Sequence, residues 1–196
     1  MKHIFYVMGK SSSGKDTIYK ELLSEEALQL SPIVLYTTRP IREGEKNGRE
    51  YFFVSEDELR KMQEAGSIIE SRTYHTVHGD WTYCTSSQGI CLEEKDYIAI
   101  GTPQAYEKLA TYYGLERLVP MYIEVDDGVR LQRALDRERQ EASPRYEEMC
   151  RRFLADAQDF SEEVLSRLQL PKRFRNAQLG SCIEEMKEYI MHQQSM

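Results

Sequence analysis

The chain has 196 residues, of which 40% are hydrophobic, and its formal net charge is -7. This length suffices for one sizeable core, or for one core with a small inserted lobe. No run approaches the ~20 apolar residues of a membrane-spanning helix, and the negative charge argues against nucleic-acid binding by the whole surface, although a local basic cleft remains compatible with it.

The first predicted strand, Ile4–Met8, leads into a glycine-rich loop and then a helix. Residues 9–17 read Gly-Lys-Ser-Ser-Ser-Gly-Lys-Asp-Thr, which matches the phosphate-binding pattern G-x-x-x-x-G-K and departs from it at Asp16, where Ser or Thr is expected. Gly9 and Gly14 allow backbone N–H groups to curl around an anion, and Lys15 brings a mobile charge at the positive end of the helix. The alternative is an ordinary Gly/Ser turn that caps a helix. The phosphate-binding interpretation predicts that ATP contacts Gly9, Lys10, Ser11, Ser12, Ser13, Gly14, Lys15, Asp16 and Thr17.

Further along, strands and helices alternate, which is typical of a parallel sheet covered on both faces. We expect a helix from Lys15 to near Leu30, stopped by Pro32, and a strand over residues 33–36. A polar stretch and a strand over 51–54 follow. Ser55 begins a capping-box helix that Gly66 ends, and short strands are expected over 68–70 and 81–83.

The alternation resumes with a strand over 96–100, a helix over 103–113 and a strand over 121–125. A helical stretch rich in arginine follows. A weak strand is expected over 171–176, and a capping box at Ser181 predicts the start of the last helix. The pattern indicates an α/β fold with a parallel sheet flanked by helices.

A second motif lies over residues 37–54, which read Thr-Thr-Arg-Pro-Ile-Arg-Glu-Gly-Glu-Lys-Asn-Gly-Arg-Glu-Tyr-Phe-Phe-Val. This segment resembles the guanylate kinases, whose pattern T-T-R-x-x-R-x-G-E-x-[ND]-G-x-x-Y-x-F-V it matches at nearly every position. The resemblance extends over essentially the whole chain, because the glycine-rich loop, an Ile-Ile-Glu strand, a Tyr-x-Thr strand, an arginine lid and a late Asn follow in the family's order.

The resemblance implies an acceptor site for a nucleoside monophosphate. Arg39 and Arg42 would clamp its phosphate with charge-assisted hydrogen bonds, while Glu70 would accept the two adjacent donors of guanine, N1–H and the exocyclic amine. The implied acceptor-binding residues are Arg39, Arg42, Tyr51, Glu70, Tyr83 and Thr85. The alternatives are a solvated loop for the arginines, an edge-strand surface position for Glu70, and ordinary strand residues for Tyr83 and Thr85.

The arginine-rich stretch would supply the lid. Arg130, Arg133 and Arg137 lie on one helical face, which is either the solvated side of an amphipathic helix pair or, as the resemblance implies, a face toward the transferring phosphoryl group. The implied catalytic residues are Lys15, Arg39, Arg133, Arg137 and Arg152. Asn176 matches a residue near the ATP base. For Arg139 and Arg145, the sequence favours neither the solvated-face interpretation nor the catalytic one.

Three departures separate the chain from the family pattern. Asp16 replaces the hydroxyl that holds Mg²⁺; because a carboxylate is a good ligand for a hard cation, we expect Asp16 to be the metal residue. Ala99 and Gly101 replace aspartates at the end of a core strand. Leu35 stands in place of a base-reading serine, and Cys84 in place of a glycine.

The predicted protein is therefore a P-loop α/β kinase that transfers a phosphoryl group from ATP, with Mg²⁺, to GMP or dGMP. We expect one domain over 1–196, with a core of 1–36, 86–130 and 150–196, a monophosphate-binding lobe of 37–85 and a lid of 131–149. The alternatives are a kinase of another nucleotide or phosphorylated metabolite, and a non-catalytic guanylate-kinase-like binding module. A signalling GTPase is disfavoured because no Asn-Lys-x-Asp motif occurs.

The sequence also predicts the protein's surroundings. The N-terminus carries no signal-peptide pattern, and the four cysteines have no paired metal spacing, so we expect reduced thiols in the cytoplasm. The expected partners are the small nucleotides ATP and GMP or dGMP, without nucleic acid or membrane, and the oligomeric state is left open.

Overall fold

A computed structural model describes residues 1–76 and 79–196 of the chain. The helices in these ranges are α1 (Lys15–Ser24), α2 (Glu56–Glu64), α3 (Pro103–Tyr113), α4 (Asp127–Gln140), α5 (Tyr146–Asp159), α6 (Glu162–Arg167) and α7 (Leu179–Gln194). The strands are β1 (Ile4–Met8), β2 (Ser31–Pro32), β3 (Tyr36–Thr37), β4 (Phe52–Phe53), β5 (Ile68–Thr76), β6 (Gly79–Ser86), β7 (Tyr97–Gly101), β8 (Leu118–Glu124) and β9 (Arg173–Arg175).

The core is a parallel sheet with the strand order β2-β7-β1-β8-β9. Every residue of β1 is buried, as expected for a central strand covered on both faces. Tyr6 and Met8 pack on the side of α3, whereas Phe5 and Val7 pack on the side of α1 and α7. The predicted fold class, a parallel sheet flanked by helices, is therefore confirmed.

A second, four-stranded sheet has the order β4-β3-β6-β5 and is built wholly from residues 36–86. Strands β5 and β6 form an antiparallel hairpin that is much longer than the two short strands predicted over 68–70 and 81–83. The prediction underestimated them because several outward positions are polar, and cross-strand pairing rather than apolar alternation supports the outer part of a hairpin.

Several local predictions are confirmed. Ser55 forms a complete capping box with Glu58 at the start of α2, and α3 spans the predicted residues 103–113, with Thr102 accepting a hydrogen bond from the Ala105 N–H. The capping box at Ser181 is wrong, because α7 begins at Leu179 with Gln178 as its N-cap, without a side-chain cap.

The region between α1 and β3 also differs from the prediction. Helix α1 ends at Ser24, a 3₁₀ turn spans Glu26–Leu28, and Gln29 takes a left-handed φ of 48°. The predicted strand over 33–36 is divided, because the Ile33 N–H bonds to the core strand β7 whereas the Leu35 carbonyl bonds to Phe52 in the second sheet. This segment therefore passes from one sheet to the other. Within the described ranges, no helix has both the length and the apolar character to cross a membrane.

Candidate functional site

The glycine-rich loop joins the buried strand β1 to the N-terminus of α1, so it lies at the carboxyl end of the parallel sheet. Gly14 has a φ of 85°, in the left-handed region, and a Cβ there would lie 2.6 Å from the Asn176 amide nitrogen. Glycine is therefore required at this position for both its φ and its lack of a side chain. The loop backbone leads directly into the first turn of α1, where helical N–H groups favour an anion.

Asn176 holds the loop from behind. It is 3% exposed, and its Nδ2 donates to the Ser13 carbonyl oxygen at 2.8 Å. Asn176 also lines a cavity of about 630 Å³, here called the Asn176 cavity, together with Lys10, Tyr122, Asp126, Arg133 and Phe160 among others. The structure thus places Asn176 against both the loop and an adjacent cavity.

Lys15 and Asp16 are neighbours on the first turn of α1, and Lys15 Nζ lies 3.5 Å from Asp16 Oδ2. The Asp16 side chain is 77% exposed. Among residues 1–76 and 79–196, no group of three or more His, Cys, Asp or Glu side chains could hold a metal. A lone exposed carboxylate beside a phosphate loop nevertheless fits Mg²⁺, because Mg²⁺ usually binds one or two carboxylates together with substrate phosphates and water.

Arg39 is held in a fixed orientation at the edge of the second sheet. Its Nη1 and Nη2 donate to the two carboxylate oxygens of Glu45 at 3.0 and 2.8 Å, and its guanidinium lies 5.4 and 5.5 Å from the ring centroids of Tyr51 and Phe53. The hydrogen bonds that Arg39 donates to Glu45 lower the pKa of the Glu45 carboxyl and raise the pKa of the Arg39 guanidinium. Glu45 also accepts from the backbone N–H of Arg42, whose own position is exposed.

Two tyrosines lie next to this ion pair. The rings of Tyr51 and Tyr83 are 5.5 Å apart at an interplanar angle of 67°, and a hydrogen bond with Tyr83 contributes to the raised pKa of Arg39. Burial raises the pKa of Tyr51, so its hydroxyl remains protonated and able to donate near neutral pH. The structure therefore brings together Arg39, Tyr51 and Tyr83, three of the residues that the resemblance implies for the acceptor site.

Glu70 and Thr85 face each other across the β5–β6 hairpin. Both are buried, and Thr85 Oγ1 donates to Glu70 Oε1 at 2.8 Å. Arg72 lies two residues further along β5, with its Nε 3.2 Å from Glu70 Oε2 and its Nη1 3.4 Å from Thr102 Oγ1. We did not predict Arg72, although a charged residue two positions from Glu70 on one strand shares its face and was the available signal.

The departures from the family pattern have local explanations. A Cβ at Gly101 would overlap the hydroxyl of Tyr6, so an aspartate does not fit there while Tyr6 is present. Ala99 is buried in the core on β7. Cys84 is fully buried in β6, and burial raises the pKa of its thiol to about 12, so the thiol is protonated and unreactive.

The arginine-rich stretch forms α4 and α5. Arg133 and Arg137 are exposed, but Arg130 is only 1% exposed, so the alternative in which all three form one solvated helical face does not hold for Arg130. The reason is that Arg130 turns inward to Asp127, which precedes it by three residues on α4, and to Asp156, which is adjacent only in the fold. Arg130 Nη1 lies 3.1 Å from Asp156 Oδ2 on α5, and its Nη2 lies 2.8 Å from Asp127 Oδ1.

Two of the three predicted lid arginines line a cavity with the loop. This cavity of about 390 Å³, here called the lid cavity, is bordered by Ser11, Ser12, Arg137, Arg145 and Arg152, with α4 and α5 as its walls. Arg152 Nε also donates to Glu148 at 2.7 Å, and hydrogen bonds from Arg151 and Arg152 lower the pKa of Glu148 to about 2. Arg133 instead lines the Asn176 cavity, and within the part of the chain that the structure describes neither Arg133 nor Arg137 forms an ion pair.

Comparisons with known proteins agree along the whole chain. The family model described as guanylate kinase matches residues 1–193. The guanylate kinase of Porphyromonas gingivalis is 26% identical over 204 residues, covering 97% of each chain. That of Cupriavidus metallidurans is 41% identical over 94 residues, which are 47% of this chain and 40% of the relative.

A solved structure has a similar fold. The guanylate kinase of Anaplasma phagocytophilum superposes with a TM-score of 0.65 at 20% identity, over all of this chain and 87% of that one.

Proposed function

This chain belongs to the guanylate kinase family, and on that premise we propose that it transfers the γ-phosphoryl group of ATP to GMP or dGMP, giving ADP and GDP or dGDP. The observation that carries the proposal is the buried Glu70–Thr85 pair on the same small sheet as the Arg39–Glu45 ion pair. The first pair suits a base that offers hydrogen-bond donors, and the second lies beside two tyrosine hydroxyls that suit a phosphate.

Guanine would be read by the carboxylate of Glu70. The N1–H and exocyclic amine of guanine are adjacent donors, and an ionised carboxylate accepts hydrogen bonds from both at once. The Thr85 hydroxyl would hold the Glu70 carboxylate in place. Adenine presents an unprotonated N1 to the same oxygens, which leaves a buried acceptor unpaired and disfavours binding.

The acceptor phosphate would be held by Arg39, Arg42, Tyr51 and Tyr83. Arg39 donates to Glu45 and to the Pro40 carbonyl oxygen, so its N–H groups outside these bonds would serve the phosphate while Glu45 fixes the plane of the guanidinium. Arg42 is exposed and would reach the phosphate as a more mobile charge.

Transfer itself would depend on position and charge, because an ionised phosphate oxygen of the acceptor attacks the γ-phosphorus without a covalent enzyme intermediate. The loop N–H groups and Lys15 would hold the ATP phosphates. Arg137 and Arg152 border the lid cavity beside the loop, and they, Arg39 and Arg133 would offset the charge that spreads over the transferring group. The ATP base would lie at the Asn176 cavity.

Mg²⁺, when bound, would neutralise charge on the ATP phosphates, with Asp16 as its protein ligand. The exposed Asp16 carboxylate also lies 3.5 Å from the Lys15 amine, so it would help to orient the lysine that we propose for the outer phosphates.

The proposal also divides the chain into a core, a monophosphate-binding lobe and a lid. The small sheet of residues 36–86 supports a monophosphate-binding lobe over 37–85, and the α4–α5 connection supports a lid over 131–149 within one domain of 1–196. The free cysteines Cys84, Cys91, Cys150 and Cys182 suit the reducing cytoplasm.

A second candidate is a kinase with a different acceptor, and Arg72 beside Glu70 is the observation that favours it, because a guanidinium next to the base-reading carboxylate adds donors that other bases accept. A non-catalytic binding module is disfavoured, since it needs neither Lys15 nor the lid arginines.

A coupled assay of ADP formation separates these functions, using GMP, dGMP, AMP, CMP, UMP and dTMP as acceptors. The proposal predicts turnover with GMP and dGMP far above the other four. Preference for another monophosphate would support the second candidate, and no turnover with any acceptor would support the binding module.

A further inference from the structure

Arg130 joins three separate segments of the fold. Its Nε and Nη2 donate to Asp127 Oδ1 at 3.0 and 2.8 Å, and its Nη1 donates to the Ser11 carbonyl oxygen at 2.9 Å and to Asp156 Oδ2 at 3.1 Å. The guanidinium also lies 4.9 Å from the ring centroid of Phe153. With 1% exposure, Arg130 is paired, packed and inaccessible to nucleotide, so it acts through other residues.

Ser11 is held from both sides of its backbone. Its carbonyl accepts from Arg130, and its N–H donates to Asp156 Oδ2 at 2.7 Å. The next residue, Ser12, has a φ of 62°, a left-handed conformation that costs energy for a residue other than glycine. The Ser12 hydroxyl is buried and has no hydrogen-bond partner among residues 1–76 and 79–196. The turn of the loop at Ser12 is therefore maintained by bonds to its neighbour, Ser11.

We propose that Arg130 and Asp156 are a pair of positioning residues that holds the glycine-rich loop in its phosphate-binding shape and makes that shape depend on the packing of α4 against α5. This inference rests on the proposed binding of ATP at the loop. Since α4 carries Arg133 and Arg137 and α5 carries Arg152, the Arg130–Asp156 ion pair links the loop to the helices that bear the lid arginines.

Arg130 also compensates negative charge beside the glycine-rich loop. Arg130 compensates the carboxylates of Asp127 and Asp156, while Lys10 on the loop lies 3.3 Å from Asp127. Without Arg130, two carboxylates beside the loop lose their main partner and repel the ATP phosphates. The damage caused by losing Arg130 is therefore relieved in part by neutralising Asp156, a result that a packing role does not produce.

The test is the affinity of the full-length chain for ATP with Mg²⁺, measured by calorimetry. Arg130→Met and Asp156→Leu each raise Kd by about tenfold or more, because each removes a charge-assisted hydrogen bond to Ser11. Asp156→Asn keeps an oxygen for the Ser11 N–H and changes Kd by less than about threefold. In the Arg130→Met protein, adding Asp156→Asn recovers part of the lost affinity.

Two matched controls lie on the same helices. Arg139→Met removes an exposed arginine of α4 that lies 3.7 Å from Asp136, and Asp159→Asn alters a carboxylate of α5 that contacts Gln104. Both leave ATP affinity unchanged. The KM for GMP stays within about twofold in all variants, whereas a general loss of structure raises both constants together.

Hydrogen exchange provides a readout without nucleotide. Asp156→Leu speeds exchange of the Ser11 and Ser12 amides in the free protein, while Asp159→Asn does not. If Arg130→Met does not fold, the two Asp156 variants still decide the question. ATP affinity and amide exchange equal to the controls would overturn the positioning role. A wild-type chain that binds no ATP, but shows the faster exchange in Asp156→Leu, would instead refute the proposed function.

Discussion

Arg39 and Glu45 form a bidentate ion pair, with both carboxylate oxygens of Glu45 accepting from the terminal nitrogens of Arg39 at 3.0 and 2.8 Å. The Arg39 side chain is 3% exposed and that of Glu45 is 18% exposed. A buried arginine held in this way presents its remaining donors in a fixed plane. Glu45 belongs to the Gly-Glu of the second motif, so the contact gives that part of the motif a physical role.

Glu45→Gln tests this role. The amide keeps the size of the side chain but removes its charge, so Arg39 loses its fixed orientation. We expect the KM for GMP to rise by about tenfold, with the KM for ATP unchanged. Steady-state kinetics with each substrate varied measures both constants. Glu43→Gln, in the same loop at an exposed position, is the control, and equal kinetics in the two variants would contradict the role of Glu45.

Lys15→Ala tests the glycine-rich loop as the ATP site. The Lys15 amine lies 3.5 Å from Asp16 Oδ2, and among the described residues Lys15 belongs to neither hydrophobic cluster, so the fold is expected to persist while kcat falls by about a hundredfold or more. Thermal denaturation checks the fold, and the coupled assay checks turnover. Lys20→Ala, further along α1, serves as the control. Near-normal turnover in folded Lys15→Ala would show that ATP binds elsewhere.

Asp16→Asn and Asp16→Ser test whether Asp16 is a ligand of Mg²⁺. Loss of the carboxylate charge in Asp16→Asn should raise the Mg²⁺ concentration required for half-maximal activity, whereas Asp16→Ser restores the usual hydroxyl and keeps or improves activity. Mg²⁺ titration of the two variants and the wild type gives the comparison. An Mg²⁺ requirement in Asp16→Asn equal to that of the wild type would exclude Asp16 as the metal ligand. A nearly inactive wild type that Asp16→Ser alone activates would mean that Asp16 only repels the phosphates.

Arg72→Met probes the partner of the base-reading carboxylate. Without Arg72, the side chain of the buried Glu70 retains, among the residues that the structure describes, the hydrogen bond from Thr85 alone. An underpaired buried carboxylate lowers stability and loses its orientation. We expect a lower melting temperature and a KM for GMP raised by about fivefold. Arg60→Met on α2, where Arg60 is 63% exposed, is the matched change. If both variants behave alike, Arg72 has no part in the acceptor site.

Features that depend on nearby residues were predictable from the sequence. Ser55 and Glu58 are three residues apart and cap α2 as expected, and Gly14 takes the left-handed φ that the loop pattern requires. Glu70 and Thr85 were each implied by the resemblance as base-contacting residues, but their pairing across a hairpin was not predicted.

Features that depend on distant residues were not predictable. Arg130 looked like a surface arginine, because Ser11 and Asp156, which bury it, are 119 and 26 residues away. The division of the strand over 33–36 follows from competition between β7 and Phe52 for the backbone of one segment, and side-chain patterns carry no information about such competition.

The proposed reaction moves the γ-phosphoryl group of ATP to GMP rather than to another acceptor or to water. The most direct measurement incubates the wild-type chain with ATP labelled at the γ-phosphorus, Mg²⁺ and an equal mixture of GMP and AMP, and then separates the products by chromatography. We expect label in GDP, with little in ADP or inorganic phosphate. Label that appears mainly as inorganic phosphate, or on the adenine acceptor, would contradict it.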